Sequence, residues 1–356
     1  MLSFSGPSIW RTFFVLVCGI LMVNSSLSAQ KSDFDKSALA QSIDSLLEAK
    51  AFRPFNGVIQ IEQDGKPIYQ KRQGYADLET KQRFGKHTQF VIGSLSKQIT
   101  AVILLRTKEK GLLEFHVGIG NYLPELKQAW RDSVTIHHLL NHTSGIKALD
   151  APLVSTPGTQ FAYSNLAYAL LGQILEKVNH QSFAYQAQAL FRECGMKHSA
   201  TPETGKLKWL PKGWFKNQKG DFEAVENPFI KNSIPAGLMV STAADLSEWN
   251  ALLHSGKLLQ KESYDEFTKA SSTRDHPIFG DVDYAYGIQM THLNDLFEVS
   301  HGGYVKGFVA VNFYQPATKL SLIVLENYDW MDPTYQETFW FEMQIRKVLR
   351  NWVLRN

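Results

Sequence analysis

Phe90-Val91-Ile92-Gly93-Ser94-Leu95-Ser96-Lys97-Gln98-Ile99-Thr100 decides how the rest of this chain is read. Three strand-like residues lead to a glycine, after which Ile99, Val102, Ile103, Leu104 and Leu105 form an apolar-periodic run. Ser94 therefore falls where a connection enters a helix, and Lys97, three residues on, lies on the same helical face. A serine hydroxyl is a poor nucleophile until a neighbour takes its proton, and a partly desolvated lysine with a lowered pKa can do so. The helix N-terminus adds positive potential and free backbone N–H groups for a developing negative charge. Taken alone, the tetrapeptide reads first as an N-cap followed by a surface lysine, since serine is a common cap. The remaining sequence has to choose.

Upstream, Gly57-Val58-Ile59-Gln60-Ile61-Glu62 and Pro67-Ile68-Tyr69-Gln70 alternate on either side of Asp64-Gly65, which predicts a β-hairpin. Before it, Leu39, Ile43, Leu46 and Leu47 predict an amphipathic helix over Ser37 to Lys50. Downstream, helices are expected from Ile99 to a stop at Gly111, and over Tyr168–Val178, Phe183–Phe191 and Ala243–Leu253, the last capped by Ser241 or Thr242. Strand-like runs follow at Tyr286–Met290, Leu296–Val299, Phe308–Phe313 and Leu320–Leu325, and a final helix is expected over Thr334–Val353. Strands near both ends around a helical middle predict an α/β (α+β) fold. Its antiparallel sheet would be closed by the two chain ends, flanked by helices and interrupted by a mostly helical insertion. The sheet part would take about 30–110 and 235–356, the helical part about 111–234.

The chain has 356 residues, 44% apolar and 20% charged, the composition of a globular protein with room for a sizeable core. A net charge of +3 implies neither a nucleic-acid nor a strongly acidic partner. Lys206, Lys208, Lys212, Lys216 and Lys219 alternate with Trp209, Trp214 and Phe215, a mixture that can bind single strands, but a solvated loop bordering a cleft is the better reading. Near the N-terminus, Arg11, the apolar run Phe13–Val23 and the small residues up to Ala29 read as a signal peptide over 1–29, cleaved near Ala29. The protein is then expected to be periplasmic or secreted, with no stable membrane span after signal removal, the run being short for one. Cleavage takes Cys18 with it and leaves Cys194 alone, so no internal disulfide is expected.

Three further stretches carry candidate chemistry. Tyr163-Ser164-Asn165 follows a Pro-Gly turn and precedes a helix. A tyrosine beside a lysine can relay a proton, an asparagine can hold an amide, and Ser164 or Asn165 could equally cap the helix. In Ser300-His301-Gly302-Gly303-Tyr304 the glycines let a substrate lie against a strand edge, and His301 could pair with a substrate carboxylate or the catalytic hydroxyls. His138 and His142 are four apart, but no His-Glu-x-x-His motif is present and turn or packing roles fit better than metal. No Gly-x-Ser-x-Gly elbow surrounds Ser94 or Ser144, and no phosphate loop or dinucleotide fingerprint occurs.

Ser-x-x-Lys, Tyr-x-Asn and His-Gly-Gly, in that order, are related to the triplet of β-lactamases and penicillin-binding proteins. On these motifs the chain resembles the class C β-lactamase and low-molecular-weight penicillin-binding protein family, which includes esterases and D-amino-acid peptidases. Gly74-Tyr75-Ala76-Asp77-Leu78-Glu79, Leu139-Leu140-Asn141-His142-Thr143-Ser144-Gly145 and Ser241-Thr242-Ala243-Ala244-Asp245-Leu246 extend the likeness across roughly Phe55 to Asn327. The resemblance implies a serine hydrolase without metal or organic cofactor, with an ester, a β-lactam or a D-amino-acid peptide as substrate. It implies Ser94 as acyl-forming nucleophile, Lys97 as base and Tyr163 as proton relay. Asn165, His301, Gly302 and Gly303 would be substrate contacts, and the backbone N–H groups of Ser94 and Tyr304 an oxyanion hole. Gly302 stands where the family often has Thr or Ser. The missing hydroxyl argues against strong β-lactamase activity and for esterase or peptidase chemistry. A catalytically silent relative that binds peptidoglycan or peptide is the alternative, which the intact Ser94, Lys97 and Tyr163 oppose.

Overall fold

The computed structural model describes residue 1 and residues 36–49, 53–205, 207–229, 234–277, 280–293 and 296–355. Apart from Met1 the expected signal peptide lies outside the described residues, as do Cys18, Lys50 and Lys206. By contacts the chain divides into two units, Phe52–Glu342 and the terminal segments Met1–Ala51 with Met343–Asn356. In the terminal unit, helix α1 (residues 36–48) buries Leu39, Ile43 and Leu47, the expected apolar face.

In the larger unit β1 (Gly57–Gln63) and β2 (Lys66–Gln73) form the expected hairpin. Its turn puts Asp64 at φ 50° and Gly65 at φ 71°, the left-handed pair that an Asp-Gly turn supplies. After β3 (Tyr75–Asp77) and β4 (Gln82–Arg83) comes β5 (Phe90–Val91), and a single 3₁₀ turn (Gly93–Leu95) leads into α2 (Ser96–Glu109). Every residue of α2 from Ser96 to Leu105 is buried, so α2 is a central helix rather than an amphipathic surface one. Around it lie α3 (Ile136–Leu140), α4 (Asn165–Asn179), α5 (Phe183–Glu193) and, after β6 (Trp214–Lys216) and β7 (Phe222–Ala224), α6 (Ile234–Gly237). The chain continues through β8 (Val240–Ser241), which pairs with β5, then α7 (Ala243–His254) and α8 (Lys261–Phe267). Thr242 caps α7 through Asp245 N–H, one of the two expected caps.

Strands β9 (Ser272–His276), β10 (Gly280–Tyr284), β11 (Gln289–Leu293), β12 (Leu296–Val305), β13 (Phe308–Gln315) and β14 (Leu320–Glu326) then build the sheet, followed by β15 (Tyr328–Asp329) and α9 (Trp340–Arg355). The main sheet runs β2-β1-β14-β13-β12-β11-β10-β9, antiparallel at every pairing, so the N-terminal hairpin is closed onto the sheet by β14 as expected. All seven residues of β14 are buried. On one side α7 packs against β1 and β14, with Asn250 donating to Asn312 Oδ1 at 2.6 Å and Ser321 Oγ at 2.9 Å. Arg53 forms a buried fork with Glu326, 2.7 Å on both arms, which pins the chain ahead of β1 to the end of β14. Among the described residues no helix is long and apolar enough to cross a membrane.

Three differences from the expected fold have physical causes. The β9–β10 hairpin is too polar to show as strands in sequence, because it is the sheet's edge and one of its faces is wet. Within the stretch expected as helical, β6 and β7 join β15 in a second small sheet, and Trp214 is buried there rather than carried on a solvated loop. Tyr286 and Gly287 precede β11 instead of belonging to it, since Gly287 at φ 73° turns the chain.

Candidate active site

From Thr88 to Leu105 every residue is buried except Ser94. The 3₁₀ turn lifts this one side chain out of an otherwise closed core, and the expected turn-to-helix placement holds. Lys97, on the first turn of α2, is fully buried. Its Nζ lies 3.1 Å from Ser94 Oγ, 2.9 Å from Asn165 Oδ1 and 2.5 Å from the Ala236 carbonyl oxygen. Burial, aided by the nearby Arg274 cation, holds the Lys97 pKa well below its ordinary value. Asn165 Oδ1 and the Ala236 carbonyl oxygen are acceptors only, so each takes an N–H of Lys97; in the neutral amine that a lowered pKa favours, the lone pair is then left for the Ser94 hydroxyl proton. The bland alternative of a surface lysine is gone.

Tyr163 Oη is 2.6 Å from Ser94 Oγ. Burial pushes its phenol up to about 12, so it stays protonated at neutral pH and acts as an O–H group, not as a phenolate base. The backbone explains its position: Ser164 is the N-cap of α4, accepting from Ala167 N–H at 3.1 Å, and Tyr163 and Asn165 flank it. Ser164 thus does the capping, while Tyr163 and Asn165 reach Ser94 and Lys97.

The third stretch is closest where its glycines are. A Cβ at Gly303 would meet the Ile92 carbonyl oxygen at 2.1 Å, and one at Gly93 would meet Tyr304 N at 2.4 Å. Only glycine at both positions lets the Ser94 turn and β12 approach this closely. β11 pairs with β12 no further than Ser300, so in the described ladders residues 301–305 are paired to β13 alone and leave their other edge toward the turn. This places the backbone of Tyr304 beside that of Gly93-Ser94, while the Tyr304 hydroxyl turns away to Asp329 at 2.7 Å.

His301 departs from its expected role as a substrate contact. It is 2% exposed, its Nδ1 lies 2.6 Å from the Gly302 carbonyl oxygen and its Nε2 3.0 Å from Tyr284 Oη. Burial pushes its imidazole down to about 3, so at neutral pH it is an uncharged packing and positioning group. At Gly302, an added Cβ would lie 3.4 Å from the Phe339 ring. The residue expected to border a carboxylate site thus faces an aromatic wall.

Two residues that sequence reasoning did not place in the site border it. His142, buried at φ 60°, packs its ring 4.2 Å from Tyr163 and accepts from Ser164 N–H at 3.2 Å. Arg274, on β9, lies with its guanidinium 5.3 Å from the Tyr163 ring centroid. Neither sits in a local pattern; only the folded chain brings them here. Among the described residues, His138 and His142 included, no metal-binding group of three His, Cys, Asp or Glu residues occurs. A cavity of about 610 Å³ lined by His116, His137, Glu266 and Tyr286 does not include Ser94, so here convergent chemistry, not volume, marks the site.

An antiparallel sheet flanked by helices, with Ser-x-x-Lys opening its central helix and a tyrosine hydroxyl on the serine, is the arrangement of the β-lactamase and penicillin-binding class of hydrolases. Residues 49–344 match the Beta-lactamase family model, and the chain belongs to that family. Among curated proteins it is similar to Protein flp of Staphylococcus aureus, 25% identical over 319 residues that cover 81% of this chain and 63% of flp. The chain thus spans somewhat under two thirds of that relative. Its fold is similar to that of a D-amino acid amidase from Ochrobactrum anthropi, with a TM-score of 0.75, 19% identity and coverage of 88% and 99% of the two chains. It is similar also to the D-alanine carboxypeptidase AmpC of Burkholderia cenocepacia, with a TM-score of 0.72, 23% identity and coverage of 89% and 99%.

Proposed function

We propose that this protein is an exported serine hydrolase that cleaves an ester or amide through a covalent acyl-enzyme on Ser94. One observation carries the reading: the buried Lys97 Nζ lies 3.1 Å from Ser94 Oγ while it donates to two groups that can only accept, Asn165 Oδ1 and the Ala236 carbonyl oxygen. Lys97 takes the Ser94 proton as Oγ bonds to the substrate carbonyl carbon, and the backbone N–H groups of Ser94 and Tyr304 receive the resulting oxyanion. When the tetrahedral intermediate collapses, the C–O or C–N bond breaks and the leaving group takes the Tyr163 proton, which Lys97 replaces. Water then attacks the acyl carbon, passes a proton to the Tyr163–Lys97 pair and frees the acid and Ser94. His142 and His301, uncharged, hold Tyr163 and the strand edge in place. The fold neighbours, an amidase and a carboxypeptidase, support amide chemistry, and the absent hydroxyl at Gly302 supports ester or peptide substrates over β-lactams.

The test is labelling with a fluorophosphonate and turnover of a panel of p-nitrophenyl esters, D-amino-acid amides and nitrocefin. The expected result is an adduct on the peptide carrying Ser94, with turnover of esters or amides exceeding that of nitrocefin. No adduct and no turnover would favour the silent, binding-only alternative. The Gly303–Ile92 approach yields a further expectation. Gly303→Ala should open the gap between the Ser94 turn and β12, lowering the melting temperature and reducing kcat by roughly 10²-fold or more, the loss seen when an oxyanion donor is removed. Unchanged kcat in a folded Ala variant would remove Tyr304 N–H from the mechanism.

A further inference from the structure

We propose that Glu266, Tyr286, His137 and Asn141 are positioning residues, joined in a one-way hydrogen-bonded line that fixes the turn holding Tyr163. The proposal rests on Tyr163 being the proton relay to Ser94. The line acts at His142. The carbonyl oxygen of His142 accepts from Ala162 N–H at 2.7 Å and its Nδ1 from Ser164 N–H at 3.2 Å, so it grips the backbone on both sides of Tyr163. Its own φ of 60° is one that a non-glycine residue keeps only where the surroundings impose it. Asn141 closes over it. Asn141 Oδ1 accepts from Thr143 Oγ1–H at 2.7 Å and from Thr143 N–H at 3.1 Å, a proton shared with the His138 carbonyl oxygen.

The direction of the line follows from each of its ends. With Oδ1 given to Thr143, the Asn141 amide turns its NH₂ group to His137 Nε2 and Ser271 Oγ, each at 3.2 Å. Nε2 therefore accepts, and the His137 proton belongs on Nδ1. At the far end, Lys108 holds one oxygen of Glu266 at 2.5 Å, and Tyr286 O–H donates to the other at 3.2 Å. A carboxylate only accepts, so the Tyr286 oxygen is left to receive from His137 Nδ1, 2.7 Å away. Both ends ask for the same tautomer. The charge states agree with it. Burial, with His116 and His138 nearby, pushes the His137 imidazole down to about 4, and burial beside Glu266 pushes the Tyr286 phenol up. Glu266, Tyr286 and His137 line the cavity of about 610 Å³ that does not include Ser94, so they act on the reaction through Asn141 and not by touching it.

Glu266→Gln should reverse the line by exchanging one oxygen for an NH₂ group. Lys108 can only donate and keeps the amide oxygen, so the new NH₂ donates to Tyr286 and Tyr286 to His137 Nδ1. His137 Nε2–H then meets the Asn141 NH₂, whose amide has to turn and withdraw Oδ1 from Thr143. For a p-nitrophenyl ester, kcat should fall about tenfold with KM nearly unchanged, within the roughly 10²-fold that misplacement by a remote substitution costs. Tyr286→Phe cuts the line without reversing it and should cost less than about threefold. The double variant should behave as Tyr286→Phe alone, because the reversal cannot cross a missing hydroxyl. In the ring ¹H–¹⁵N NMR spectrum, His137 is assigned by its disappearance in His137→Gln. Its proton should sit on Nδ1 in the wild type and on Nε2 in Glu266→Gln. Additive losses in the double variant, an unchanged kcat in Glu266→Gln, or an Nε2 proton in the wild type would each overturn the proposal, the last with no variant required. If the wild type turns over no ester and a fluorophosphonate leaves Ser94 unlabelled, the hydrolase reading falls, and the His137 tautomer still decides whether the line exists. If turnover is normal and the two substitutions are simply additive, only the line falls.

Discussion

Ser94→Ala is expected to lower kcat for a p-nitrophenyl ester by about 10⁴- to 10⁶-fold, the range found when a nucleophile is removed from a unit that acts together. The change deletes one oxygen atom at the single incompletely buried position between Thr88 and Leu105, so the core loses no packing. Alanine adopts the helical turn readily, and the Lys97 amine keeps its bonds to Asn165 and the Ala236 carbonyl. The variant should therefore melt within a few degrees of the wild type while losing turnover. Steady-state kinetics beside a thermal melt decide the matter, and turnover within tenfold of wild type would exclude Ser94 as nucleophile.

Lys97→Met should be nearly as inactive, because nucleophile and base fail together. It also has a signature in stability. An unfolded chain holds a lysine proton up to about pH 10.4, whereas burial makes Lys97 give it up well below its ordinary pKa in the folded protein. Between those two values the unfolded state binds one proton more. The wild-type unfolding free energy therefore rises with pH there, by about 1.4 kcal/mol per unit from this group, and this contribution is lost as pH falls toward the folded pKa. Methionine has no such slope. Urea unfolding of both proteins between pH 7 and 10 should thus show the balance shifting toward the Met variant as pH falls. Parallel pH curves would mean that Lys97 stays charged in the folded protein, and the base would have to be sought elsewhere.

What was legible in the sequence was local. The Asp64-Gly65 hairpin, the caps of α4 and α7 and the serine–lysine pair all depend on residues within a few positions of one another, where backbone geometry dictates which side chains meet. That one antiparallel sheet joins the two chain ends followed from the placing of strands there, since such a sheet can take its N-terminal hairpin from one end and its long strands from the other. The approach of Tyr163 to Ser94 spans 69 positions and was indicated by the order of motifs rather than by spacing.

Tertiary structure alone decided the rest of the site. His301 was expected among the substrate contacts, but its direction depends on Tyr284, which arrives on a hairpin too polar to announce itself as strands. Arg274 reaches Tyr163 through the register of that same hairpin, and a slip of one residue would exchange it for an aspartate. Gly302 could be recognised as lacking a hydroxyl, but not as facing Phe339. Sequence by itself thus located the serine–lysine pair and the family, because these reside in short segments with their own geometry. Which charge lies beside Tyr163 was left to the packing of an edge hairpin against a distant tyrosine, where a side chain's direction is set by long-range register and not by its neighbours in the chain.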